Sequence, residues 1–375
     1  MPPFRGQAAQ PRLWTRALAA LLLAPLLLGG CVSHVGPKSI PADRFDYSGA
    51  LSRSWKEQMV LNLVKIRYSE PPMFLDVQQV VQQYTLEGSG TIYAPGWTGN
   101  STITQAANAS ARWAESPTIT YTPLSGEKFT KSLLQPVSPT DLFSLVQAGW
   151  PVDAVFAVAV RSICGLHAGS RTEALRHEAD NDFYRVLALL RELQRSDSIG
   201  VRVEKKPDGE SSVLVFRAPD ATEAAMANAK EVRKLLHLNP DATEFRITFG
   251  GIPQNDKELA MLTRSMLEIL AEASAGVEVP PTDLDEGRAL RLTRPADANG
   301  PRFEHSPEFN VHVHYSLEKP AGNDVFAAIP YRGGWFFVDD RDFTSKRGLA
   351  FLMMLFTLLE SGASPAPPAL TISKP

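Results

Sequence analysis

Ala17 to Leu28 is an unbroken apolar run of 12 residues, preceded by Arg5, Arg12 and Arg16 with no acid and followed by Gly29-Gly30-Cys31. A membrane-spanning helix needs about 20 apolar residues, and Pro25 interrupts the helical hydrogen-bond ladder. The run is therefore too short to span a bilayer. A basic start, a short apolar core and small residues before a cut make an export signal. Residues 1–30 are expected to leave the chain, so the fold has to be built from residue 31 onward.

Leu28-Gly29-Gly30-Cys31 resembles the lipobox of bacterial lipoprotein precursors. The resemblance implies cleavage between Gly30 and Cys31, a diacylglyceryl thioether on Cys31 and acylation of the new amino end. One acyl chain anchors reversibly, whereas two or more hold, so the expected partner of Cys31 is the lipid bilayer. Val32 and Ser33 follow, with no Asp beside the cysteine. By the sorting rule of that class, this implies the outer membrane, with the protein facing the periplasm.

The 375 residues are 44% hydrophobic and 21% charged, which excludes a disordered or collagen-like chain. The formal charge of −3 falls to −6 once residues 1–30, with three arginines and no acid, are gone. Nothing in that balance points to nucleic acid. If Cys31 is acylated, Cys164 is the one thiol left, and its apolar surroundings predict a buried, inert group.

The patterning predicts an α+β fold in several segments. Residues 31–44, with Gly36, Pro37 and Pro41, read as a tether. Residues 45–165 combine an N-terminal helix (48–68), a long β-hairpin and three helices (126–135, 138–148 and 152–164). Residues 176–361 read as a sandwich-like α/β half with largely antiparallel strands. It includes a helix at 254–275, strands at 309–317, 325–331 and 335–338, and an apolar helix at 349–359 expected to lie in the core. A Pro-rich tail occupies 362–375. The polar stretch 165–178 is the expected boundary between the two halves.

The hairpin is the most distinctive of these elements. Tyr84, Leu86, Ile92 and Ala94 alternate with polar residues in one arm, and Ile103, Ala107, Ala109, Ala111 and Trp113 do so in the other. Trp97 lies in the connection. Period-two alternation is the mark of a half-buried strand. Arms of 11 and 12 residues also match the length of about 9–11 that a tilted β span needs. A lone hairpin cannot cross lipid, because its edges would leave backbone groups unpaired, so insertion would require several copies to close a barrel.

Side chains with chemistry are few. His312 and His314 are two apart in a predicted strand and so share one face. With a third ligand, such as His305 or Asp339, they would suit Zn²⁺, while a solvated sheet face is the simpler reading. Asp339, Asp340 and Asp342 precede a helix, where capping and ion pairs explain them. Asp283-Leu284-Asp285-Glu286-Gly287 fails as a calcium loop because its glycine comes one position early. Ser125-Gly126-Glu127-Lys128 matches the S-x-x-K string of penicillin-binding enzymes, but the accompanying elements are missing and Ser125 reads as a helix N-cap. Arg288, Arg291, Arg294 and Arg302 read as a solvated basic loop. No cofactor is implied.

Three further stretches resemble a group of uncharacterised exported proteins of Gram-negative bacteria. They are Leu61 to Tyr68 with Asp76, Pro117 to Tyr121, and Tyr331 through Trp335 to Arg347. That group has no assigned activity, so the resemblance transfers no site residue. The function expected is a non-catalytic, outer-membrane-anchored lipoprotein that works by contact with an envelope protein partner. An oligomeric membrane-inserting hairpin protein and an envelope hydrolase are the alternatives.

Overall fold

The computed structural model describes residues 40–81, 84–92, 107–115, 118–170, 179–206, 209–216, 222–289, 291–292, 311–321 and 324–360. Gly30, Cys31, Trp97, Ile103, the tether up to residue 39 and the Pro-rich tail lie outside them. The chain divides into two units, Met1–Lys56 and Glu57–Pro375. Helix α1 (Ile40–Arg67) begins in the first and ends in the second. In the second unit α1 buries Met59, Val60, Leu63 and Val64. Asn62, also fully buried, donates to the Met73 carbonyl at 2.9 Å and accepts from the Met73 amide at 2.8 Å. Those two bonds fold the Pro71-Pro72 segment back along the helix.

The hairpin proves to be a pair of two-stranded ribbons in a common register. Strand β1 (Leu75–Val81) pairs antiparallel with β4 (Thr118–Pro123), and β2 (Tyr84–Ile92) with β3 (Ala107–Glu115). Of the expected arms at 84–94 and 102–113, residues 84–92 and 107–113 pair as strands, β3 running on to Glu115, and a second pair precedes them; residues 93–94 and 102–106 lie outside the described set. Val81 stands opposite Thr118 and Tyr84 opposite Glu115, so the same offset holds in both pairs. The register shifts once, between Val77 and Gln79. That one-residue bulge sets Leu75, Val77 and Val80 opposite Pro123, Tyr121 and Ile119.

Helix α2 (Gly126–Phe129) runs into a π-helical turn, Thr130–Leu134. Helix α3 (Pro139–Gln147) starts at Ser138, whose hydroxyl accepts from the Thr140 amide. Helix α4 (Val152–Ala159) ends early: Val160–Ile163 is strand β5, not the last turns of a helix to 164. Likewise, Glu258–Thr263 is strand β10 and only Met266–Ser274 is helical (α7), where a single helix was expected over 254–275. Both differences have one cause. A strand buried on both faces is a continuous apolar run and carries no period-two signal. The true start of α7 is a capping box, with Ser265 and Glu268 bonding each other's backbone amides.

Strands β5, β6 (Leu166–His167), β7 (Ile199–Lys206), β8 (Gly209–Phe216), β9 (Glu244–Phe249) and β10 form one six-stranded sheet, ordered β6-β5-β10-β9-β8-β7. Its pairings are antiparallel except β9 with β10. Residues on both sides of 165–178 therefore share a sheet and one hydrophobic core, so the expected boundary there does not divide the packing. Helices α5 (Asn181–Arg195) and α6 (Glu223–Leu235) contribute to that core. Phe156, Leu190, Leu214, Leu236 and Leu259 line a small apolar cavity between helices and sheet.

A short helix, α8 (Pro281–Asp285), follows between the expected elements at 254–275 and 309–317. Strands β11 (His314–Ser316), β12 (Val325–Tyr331) and β13 (Gly334–Asp339) then make a three-stranded sheet, ordered β11-β13-β12. The expected strand at 309–317 shrinks to β11, with Val313 making an isolated parallel bridge to Val277; residues 309–310 lie outside the described set. Helix α9 (Phe343–Glu360) buries Leu349, Phe351, Leu352, Leu355 and Phe356, and Phe356 stacks on Phe74 with ring centroids 4.4 Å apart. The apolar helix is a core element.

Cys164 sits in the two-residue turn between β5 and β6, with φ of 48° followed by 89° at Gly165. Positive φ at both positions is the type I′ arrangement, for which Asn-Gly is preferred. Cys164→Asn is expected to stabilise the protein by about 0.5 kcal/mol, read as a small rise in thermal midpoint. A fall would show that the thiol's packing outweighs the turn. Burial pushes the Cys164 thiol pKa up, so it is poorly suited to act as a nucleophile.

Candidate functional site

Two elements bring the histidine pair to a third ligand. Helix α7 ends at Ser274, and the chain turns through Gly276 into Val277-Glu278-Val279. The Glu278 amide donates to the Val313 carbonyl at 2.9 Å, and the Val313 amide to the Gly276 carbonyl at 3.1 Å. This close approach is possible because residue 276 lacks a side chain: a Cβ there would lie 2.0 Å from the Val311 carbonyl oxygen. Glu278 thus enters the face that His312 and His314 share. Its Oε1 lies 3.0 Å from His312 Nε2 and 3.2 Å from His314 Nδ1.

The surroundings hold these groups in place. Glu278 Oε2 accepts from the Tyr315 amide at 2.9 Å. The His312 amide donates to Ser345 Oγ at 2.8 Å, and that hydroxyl donates to Asp342 Oδ2 at 2.5 Å. The two imidazoles have centroids 4.2 Å apart, and His314 packs on its cross-strand partner Phe337 at 5.3 Å. Side-chain exposures of 43% for His312, 31% for His314 and 42% for Glu278 leave the cluster open to solvent.

Sequence reasoning found the histidines and missed Glu278, which is separated from them by more than 30 residues. The only local hint is the apolar–acidic–apolar triplet Val277-Glu278-Val279 after a glycine. Of the third ligands expected, His305 lies outside the described residues. Asp339 is engaged by the Arg341 guanidinium and backbone amide, which hold its carboxyl below the usual range. Asp340 pairs with Lys346 at 2.8 Å. Asp342 caps α9 by accepting from the Ser345 amide at 3.0 Å.

The ribbon is the second candidate. Among the described residues, each of its strands has one partner, so its outer edges are unpaired. Leu75, Ile119 and Tyr121 are exposed. In the backbone register of β2 and β3, Glu87 stands opposite Arg112. Tyr84, Leu86 and Ile92 belong to β2 and Trp113 to β3, whereas Trp97 and Ile103 lie outside the described residues.

A third cluster joins the end of α1 to α8 and to the turn between β12 and β13. Tyr68, at the end of α1, donates to the buried Asp283 of α8 at 2.6 Å. The Arg332 guanidinium lies 4.9 Å from the Tyr68 ring centroid and pairs with Glu70 at 2.9 Å. Burial and the bond to Asp283 push the Tyr68 phenol well above its ordinary pKa. These contacts knit the end of α1 to the β12–β13 turn and offer no open coordination or reaction position.

The remaining motifs resolve structurally. Ser125 holds the N-cap position of α2, although its hydroxyl makes no capping bond. Arg288 pairs with Asp283 and Glu286, and Arg291 with Asp285, while Arg294 and Arg302 lie outside the described residues. No described helix is long and apolar enough to cross a membrane. Comparison of the chain with protein-family models, curated proteins and solved structures finds no match.

Proposed function

We propose that the protein is a lipoprotein anchored through acylated Cys31 in the outer membrane, facing the periplasm, where it works by protein–protein contact rather than catalysis. The leader Arg5 to Cys31 supports the anchor. The ribbon carries the contact role. Its register-matched strands present backbone edges that are unpaired among the described residues, and such edges are templates for pairing with another chain. An isolated two-stranded ribbon is marginal in water, so a second surface stabilises it. The partner expected is an envelope protein.

The test has two arms. Labelled fatty acid should appear at Cys31, and Cys31→Ala should move the protein from the membrane to the soluble fraction. Deleting residues 85–112 should abolish crosslinking of the native lipoprotein to its partner while leaving the remainder folded. An unlabelled mature chain overturns the anchor, and unchanged crosslinks after the deletion overturn the role of the ribbon.

A second reading has the ribbons of several copies close a barrel in the bilayer. Strands β2 and β3 have nine residues each, within the span of about 9–11 that a tilted transmembrane strand needs. Under it, detergent-extracted protein runs as a discrete ring that collapses on deletion of 85–112. A monomer that leaves the membrane when Cys31 is replaced rules it out.

A further inference from the structure

We propose that Glu278, His312 and His314 form a binding site for a divalent transition-metal ion of the zinc type. Two imidazole nitrogens and a carboxylate oxygen, all mutually within 4.8 Å, form the His₂Glu donor set that such borderline cations take. Bonds of about 2.0–2.1 Å in tetrahedral geometry separate neighbouring donors by roughly 3.3 Å. The separations of 3.0 and 3.2 Å between the carboxylate oxygen and the two ring nitrogens lie close to that value.

Three features argue for a built site rather than a chance meeting of polar side chains. The ligands come from two segments clamped by paired backbone hydrogen bonds, one of which requires a glycine for its approach. The second carboxylate oxygen is held by the Tyr315 amide, which leaves Oε1 as the single donor. The His312 backbone is fixed by the Ser345–Asp342 pair, an outer layer of the kind that orients metal ligands. The nearby cations are committed elsewhere, Arg341 to Asp339 and Asp324, and Lys346 to Asp340.

Three protein ligands at a half-exposed position leave room for water or a fourth donor from solvent, so the site binds reversibly rather than as a closed structural knot. It also ties the turn after α7 to β11, so an ion that binds only the folded chain stabilises it by linkage.

Zinc titration of the detergent-solubilised full chain, freed of metal by chelation, tests the site. The expected result is a single-site isotherm with a zinc-dependent rise in thermal midpoint. Cobalt in place of zinc should give the visible ligand-field absorption of a low-symmetry N/O site. Each of His314→Asn and Glu278→Gln should weaken zinc binding by at least about 100-fold, whereas His167→Asn, on a different sheet, should not. Glu278→Gln is nearly isosteric, so it keeps the test valid should His314→Asn fail to fold. Absence of saturable binding, or affinity unchanged in both variants, overturns the site. None of these readouts depends on the anchor or the ribbon.

Discussion

Replacing Arg264 by methionine is expected to cost about 3–5 kcal/mol of folding stability, the penalty of leaving three buried carbonyls unsatisfied at about 1–3 kcal/mol each, a large share of the 5–15 kcal/mol typical of a domain. Arg264 lies between β10 and α7 and is 3% exposed. Its guanidinium donates to the carbonyls of Ala157 at 3.1 Å and Val158 at 2.8 Å, and to that of Gly169 at 3.0 Å. The first two belong to the last turn of α4, where carbonyls lack intrahelical partners and carry partial negative charge. Helix α4 stops at Ala159 and the chain turns at once into β5, so Arg264 satisfies the carbonyls that the abrupt end leaves open.

Burial presses the Arg264 pKa down while Glu272 and Glu268 press it up, yet a guanidinium stays charged in proteins. Methionine matches much of the side-chain volume but strands three carbonyls. Lysine keeps the charge but not the planar fork that reaches both α4 and Gly169, so its loss should be intermediate. Equilibrium urea unfolding checks the series. A loss below about 1 kcal/mol for Arg264→Met would mean that water takes over all three carbonyls.

The two junctions that Arg264 links, α4 to β5 and β10 to α7, are also where patterning misleads. Val152 to Ile163 carries almost no polar residue to set a period, and β10 is buried on both faces. Burial on all sides erases the contrast from which a period is read. Where polar and apolar residues alternate, the reading holds. Tyr84 to Ile92 and Ala107 to Trp113 alternate and do pair as strands, and the repeat His312-Val313-His314 shows its histidines on one face. The bulge at Val77/Gln79 was not legible, since nothing in Val77-Gln78-Gln79-Val80 marks an extra residue until its partner strand is known. The register of β1 on β4 depends on it.

Glu278 shows a different limit. It is placed beside the histidines by the parallel bridge of Val277 to Val313, a tertiary contact with no local signature. Gly276 permits that contact, and Gly276→Ala is expected to cost about 2–4 kcal/mol, the sum of a forced overpacking and two weakened backbone hydrogen bonds. The added Cβ would lie 2.0 Å from the oxygen and 3.1 Å from the carbon of the Val311 carbonyl. Both are backbone atoms, so no rotamer change relieves the clash and one strand has to move. The bonds from Glu278 to Val313 and from Val313 to Gly276 are the ones that stretch.

Gly287 provides the control. Its φ is +70° and a Cβ there meets open space, so Gly287→Ala should cost only the left-handed penalty of about 1–2 kcal/mol and leave the histidine cluster intact. Gly276 is not in the left-handed region, so its penalty is steric and falls on Glu278. Unfolding measurements should therefore rank Gly276→Ala as the more damaging change. Zinc affinity should fall sharply for Gly276→Ala and stay at the unmodified value for Gly287→Ala. Equal stability losses would show that 276–279 and 311–314 approach less closely than the bridge requires.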